Sequence, residues 1–114
     1  MLHLLLHFVI PVLVALLFYR SRWRYATFVL IATMLVDLDH LLANPIYDPA
    51  RCSIGFHPLH TLPAMLFYVL LFAVPLINRW RTGRPNLSPA SRILHLIGLG
   101  LLIHMVLDGI DCMV

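Results

Sequence analysis

Four apolar runs separated by short polar stretches dominate the chain, at about residues 2–19, 25–43, 60–77 and 93–113. Each is close to the roughly 20 mostly apolar residues a helix needs to cross about 30 Å of hydrocarbon. The pattern predicts an all-α, integral membrane four-helix bundle in which residues 1–114 form one domain. Pro11 falls inside the first run, where it favours a kink, and Pro75 is expected to close the third. The first run lacks a basic start and a small-x-small cleavage site, so it reads as a retained span and not a signal segment. No internal repeat is evident.

The polar stretches alternate in charge. The first is Arg20-Ser21-Arg22-Trp23-Arg24, and the third, residues 78–92, holds Arg79, Arg81, Arg84 and Arg92 among the turn residues Gly83, Pro85 and Pro89. The second, residues 44–58, holds only Arg51. Cytoplasmic connections carry the excess of Lys and Arg. Both termini and the middle connection are therefore expected on the non-cytoplasmic side, the periplasmic face of a bacterial inner membrane.

Composition agrees with a lipid environment. The chain is 61% hydrophobic and 11% charged, against about a quarter charged in soluble domains, and its mean hydropathy is +0.92. All eight basic residues are arginine and all five acids are aspartate. The pI near 9.3 is explained by topology, because the arginines cluster in the connections; no nucleic-acid partner is expected. Membrane lipids are the expected surroundings, and a homo-oligomer is compatible with so thin a bundle.

The remaining polar residues gather at one end of this topology. His3 and His7 open the first span; Asp37, Asp39 and His40 end the second. His57 and His60 lead into the third, and His104, Asp108 and Asp111 end the fourth. His3 with His7, Asp37 with His40, His57 with His60, and His104 with Asp108 and Asp111 are spaced by three, four or seven, which puts the members of each group on one helix face. Aspartate deep in a membrane costs about 2.5–3.5 kcal/mol even on the permissive insertion scale. Divalent cations would remove that penalty and the mutual repulsion of the acids, and imidazole with carboxylate suits zinc first, then manganese or iron. The groups outnumber one tetrahedral shell, which suggests one or two ions. His3, His7, Asp37, His40, His60, His104 and Asp108 are the candidate metal ligands; Asp39, His57 and Asp111 are the candidates for proton transfer or ligand orientation.

Blander readings stand beside this one. His104 with Asp108 is compatible with a buried hydrogen-bonded pair, and His57 to Thr61 with an ordinary helix start. His95, alone at the opposite end, reads as structural. Arg51 can steer an anionic head group or pair with Asp48. Cys52 and Cys112 both fall on the non-cytoplasmic side, where a disulfide, free thiols or a soft zinc ligand are all open.

The combination of an early histidine (His3 or His7), Asp37-Leu38-Asp39-His40, the pair His57 and His60, and His104-Met105-Val106-Leu107-Asp108 resembles the YdjM-like family of membrane-bound, metal-dependent hydrolases. The resemblance spans nearly the whole chain and implies hydrolysis of a phosphoester or lipid head group at the outer face. A non-enzymatic metal-binding protein with a structural, sensing or transport-related role is the alternative expectation.

Overall fold

A computed structural model of the chain describes residues 2–36, 52, 54 and 58–113, with the side chains of residues 2–4, 111 and 113 excepted. Among the described residues there are four α-helices and no strand. They are α1 (Leu2–Phe18), α2 (Trp23–Ala32), α3 (Leu62–Thr82) and α4 (Pro89–Met113). A 3-10 turn, Arg20–Arg22, joins α1 to α2, residues 33–36 continue α2 in 3-10 form, and a third such turn, Pro58–His60, precedes α3.

The ends of the helices follow from their residues. Thr61, in extended conformation, stands before α3, and a proline follows in its first turn, where a missing N–H loses nothing. Gly83 ends α3 with φ 70°, the left-handed region that glycine enters without a Cβ penalty. Ser88 caps α4, its Oγ accepting a hydrogen bond from the Ser91 N–H at 3.2 Å, and Pro89 takes the first helical position.

The spans differ from the sequence expectation in two ways. Helix α3 does not close at Pro75 but runs on to Thr82. One missing backbone hydrogen bond is tolerated because Pro75 is buried and the extended end is favourable. Arg79 and Arg81 sit in the last turn, where the helix dipole attracts cations, and the Thr82 hydroxyl donates to the Asn78 carbonyl at 3.0 Å. The second difference concerns length. By length and apolarity α3 and residues Pro89–Ile110 of α4 are each able to cross a membrane. The segments Leu5–Phe18 and Arg20–Val36 meet that test only together, as a pair bent by 118°. The rest of the expected second span, residues 37–43, lies outside the described residues.

Helix α4 is the mast of the bundle, packed against the other three helices, while α1 and α2 pack on each other. Close approach requires small residues, as usual where lipid removes the hydrophobic drive between helices. A Cβ on Gly98 would stand 2.4 Å from the Phe72 backbone nitrogen of α3, and one on Gly100 would stand 2.5 Å from Thr33 Oγ1. Ala15, Ala26, Val29, Leu30 and Leu96 fill one half of the core; Val36, Tyr68 and Met105 fill the other. The outside is apolar too, with Phe18, Phe28 and Trp80 all about three-quarters or more exposed. Such a surface suits lipid, not water.

Near the arginine-rich end, His95 locks three elements together. Its Nδ1–H donates to the Phe72 carbonyl at 3.0 Å, so Nε2 accepts from the Tyr19 hydroxyl, and the ring stacks on Phe72. This matches its structural reading. At the opposite end Cys52 and Cys112 form a disulfide with Cα atoms 5.2 Å apart, ordinary spacing for such a bond.

Gly98→Ala is expected to force α3 and α4 apart and to cost about 1–3 kcal/mol, the usual penalty for overpacking. Thermal unfolding in detergent, followed by circular dichroism, would show the loss; an unchanged midpoint would contradict the contact.

Candidate metal centre

Helix α4 supplies two polar groups one turn apart, His104 and Asp108, on the face turned toward its neighbours. Helix α1 brings His7 to the same depth. The fourth group, His60, comes from the turn before α3, which is fixed by two side chains. The Thr61 hydroxyl donates to the Pro58 carbonyl at 2.9 Å, and the Tyr68 hydroxyl, from within α3, donates to the Leu59 carbonyl at 2.7 Å. A 3-10 turn held from both sides presents the His60 ring inward, fully buried.

The three imidazoles converge on one carboxylate. His7 Nε2 lies 3.2 Å from Asp108 Oδ1; His60 Nε2 and His104 Nε2 lie 3.0 and 3.1 Å from Oδ2. The His104 ring meets those of His7 and His60 edge-on, with centroids 4.5 and 5.5 Å apart. All four residues are at most 5% exposed. A carboxylate removed from water this far requires compensation by charge or by several hydrogen bonds.

The donor set fits a divalent metal. His7, His104 and Asp108 each offer a ligand atom within 4.8 Å of the others, and His60 adds a third imidazole on the same carboxylate oxygen as His104. Bonds of about 2.0–2.1 Å in a tetrahedron place neighbouring ligand atoms roughly 3.3 Å apart. The distances from the imidazole nitrogens to the carboxylate oxygens they face, 3.0–3.2 Å, are within a few tenths of an ångström of that edge. They are equally those of N–H···O bonds, so the same cage can hold protons or an ion, and its chemistry is that of an N/O site for zinc, iron or manganese.

Of the ligands expected from sequence, the structure thus brings together His7, His60, His104 and Asp108. His3 lies one turn before His7 on α1, and Asp111 three residues beyond Asp108 on α4; their side chains are not described. Asp37, Asp39, His40 and His57 lie outside the described residues. Two contributors were not singled out from sequence. Tyr68, a polar tip in an apolar helix, positions the turn that carries His60. Thr33 lines the same small pocket as His7 and His104 and donates to the Leu30 carbonyl at 2.5 Å.

Replacing Asp108 by Ala removes the partner of three buried imidazoles, so a loss of about 3–5 kcal/mol is expected. Chemical or thermal denaturation of the detergent-solubilised variant measures it. A loss below about 1 kcal/mol, the scale of an exposed pair, would mean that the cluster is not an interacting unit.

The model of a family of unknown function, DUF6122, matches residues 1–82, which include His7 and His60 and end before α4. No curated protein matches the chain, and no solved structure does.

Proposed function

We propose that this chain, which belongs to the DUF6122 family of unknown function, is a membrane-embedded divalent-metal-dependent hydrolase acting on a phosphoester or lipid head group. The observation that carries the reading is the convergence of His7, His60 and His104 on Asp108 inside an otherwise apolar bundle. The resemblance of the Asp37-to-His40 and His104-to-Asp108 motifs to YdjM-like hydrolases supports the reaction class. A divalent ion held by these four residues would supply Lewis acidity toward a phosphoryl or carbonyl oxygen and would acidify water.

The chain's own residues do the rest. Asp108 anchors the centre and fixes the facing edges of three imidazoles. Tyr68 and Thr61 hold the His60 turn, and the buried surroundings exclude bulk water, which strengthens each electrostatic contact. Asp37, His40 and His3 are our further ligand candidates for the same ion or a second one. Asp39, His57 and Asp111 are the candidates for proton transfer. Zinc is the first choice of metal on ligand chemistry.

Two observations support an outward-facing site at the periplasmic face of a bacterial inner membrane. Seven of the eight arginines lie at the end away from the cluster by sequence position, which makes that end cytoplasmic by the positive-inside rule. The disulfide at Cys112, one turn beyond Asp108, suits an oxidising compartment. An alkaline phosphatase domain fused after Val114 should then be active in cells; an inactive fusion with normal expression would reverse the orientation.

One observation favours a second reading. The four described donors are closed off from solvent, and closed sites are typical of structural metals, whereas catalytic ones keep an open position. The two readings divide on turnover. Protein purified without chelator and loaded with zinc should hydrolyse phospholipids or phosphate monoesters. Chelation should abolish the activity, and Asp108→Asn should lower it at least about 100-fold. Stoichiometric metal with no hydrolysis of any of these substrates would replace the hydrolase by the structural reading.

A further inference from the structure

The connection between α3 and α4 carries an unbalanced charge. Residues 78–92 hold four arginines and no acid, and neither residues 1–36 nor residues 58–107 contain an aspartate or glutamate. The Tyr19–His95 hydrogen bond brings the Arg20-to-Arg24 connection to the same end, so seven arginines share it. Asp108 is separated from Ser88 by about 30 Å of helix. Among the described residues, no carboxylate pairs with any of these arginines.

Arginines at a cytoplasmic connection are ordinary, but these four are not equivalent. A small pocket opens between the last turn of α3 and the first of α4, lined by Asn78, Arg79, Arg84, Asn86, Ser88 and Ser91. Arg81 and Arg92 do not line it. The left-handed turn at Gly83 reverses the chain, so Arg79 and Arg84 face the same space. Arg92 braces the loop from behind, its guanidinium donating to the Leu87 carbonyl at 3.2 Å.

The backbone carbonyls that would repel an anion here are occupied. The Thr82 hydroxyl donates to those of Asn78 and Arg79 at 3.0 and 3.3 Å, and the Gly83 N–H to that of Trp80 at 3.3 Å. Among the described residues, the Arg92 guanidinium has a protein acceptor and those of Arg79 and Arg84 have none. The first turn of α4, opening at Pro89, adds its positive dipole end to their field. Two planar donor forks with amides and hydroxyls around them suit a tetrahedral oxyanion, which accepts hydrogen bonds in pairs.

Position names the source of that oxyanion. Trp80, next to Arg79, is 82% exposed, and Trp23 is exposed with the Arg24 guanidinium 5.5 Å from its ring centre. Tryptophans so placed mark the head-group level of a bilayer, where the nearest phosphates are those of lipids. The space of about 30 Å³ has room for two or three water-sized groups. That admits the oxygens of one phosphate and leaves the rest of a lipid outside. A head group with its own ammonium would find no carboxylate for it among the described residues, whereas an anionic head group needs none.

We propose that the pocket between α3 and α4 binds the phosphate of an anionic phospholipid at the arginine-rich face. Arg79 and Arg84 supply the paired donors, and the Asn78, Asn86 and Ser88 side chains supply further ones. Basic pockets between spanning helices are suited to such head groups. The site is separate from the metal centre at the other end and does not depend on what that centre does.

The test uses the full chain in neutral detergent and native mass spectrometry, which counts bound lipids. Dioctanoyl-phosphatidylglycerol should fill a single site at a concentration about tenfold below that needed for dioctanoyl-phosphatidylcholine. Arg79→Gln and Arg84→Gln should each weaken binding about ten- to hundredfold, the scale of hydrogen bonds to a charged group. Arg81→Gln, outside the pocket, should change it less than about fivefold, the general worth of one basic residue near a membrane. Arg84→Lys keeps the charge and loses the fork, so binding should still fall at least about fivefold; it decides if the glutamine variants fail to fold. Equal affinity for the two lipids, equal losses in all three glutamine variants, or full binding by Arg84→Lys would overturn the site and leave diffuse attraction. Inorganic phosphate at the lipid's own concentration should leave the lipid bound, and displacement would overturn the lipid as the source of the phosphate.

Discussion

A carboxylate buried among apolar helices has to be compensated, and one end of this protein is arranged around that requirement at Asp108. Its two oxygens face three imidazoles drawn from α1, from the turn before α3, and from α4 itself. If any one were displaced, the carboxylate would be left partly uncompensated in a medium that punishes such groups by several kcal/mol. The centre is thus a structural clamp whatever else it does. It fixes how far α1 and the start of α3 stand from α4, and it leaves His7, His104 and Asp108 close enough together to hold a metal ion.

Lipid gives helices little reason to associate through apolar burial, so close packing and polar contacts have to hold the bundle together. This chain uses both along α4. Gly98 and Gly100 let the backbone of α3 and the side chain of Thr33 approach at mid-height. Polar knots secure the two ends, with His95, Tyr19 and the Phe72 carbonyl near the arginines and the Asp108 cluster near the disulfide.

Much of the centre was legible in sequence because a histidine or aspartate in an apolar helix has few innocent explanations. His104 and Asp108, one turn apart, announced a shared face, and His7 and His60 fell at the same end by topology alone. Hydropathy was less informative about where helices stop and bend. Pro75 looked like a terminus, yet burial and the arginines beyond it carry α3 on for about two more turns, to Thr82. The 118° bend between the first two segments leaves no mark in composition, because it depends on how Arg20–Arg22 turns and on what α2 packs against. Tyr68 and Thr33 were overlooked because their roles depend on how the chain folds back, Tyr68 onto the Leu59 carbonyl of the preceding turn and Thr33 onto Gly100 of α4. The DUF6122 match covers two of the four cluster residues, so the assembled centre emerges only when α4 is in place.

The central claim is that Asp108 and three histidines form one metal-binding unit, and X-ray absorption at the zinc edge of the zinc-loaded, full-length protein tests it most directly. The account predicts one tightly held ion, or two, with nitrogen and oxygen neighbours at about 2.0–2.1 Å and the outer scattering of several imidazole rings, lost together in Asp108→Ala. Failure to retain stoichiometric metal, or a spectrum dominated by sulfur neighbours at about 2.3 Å, would contradict it.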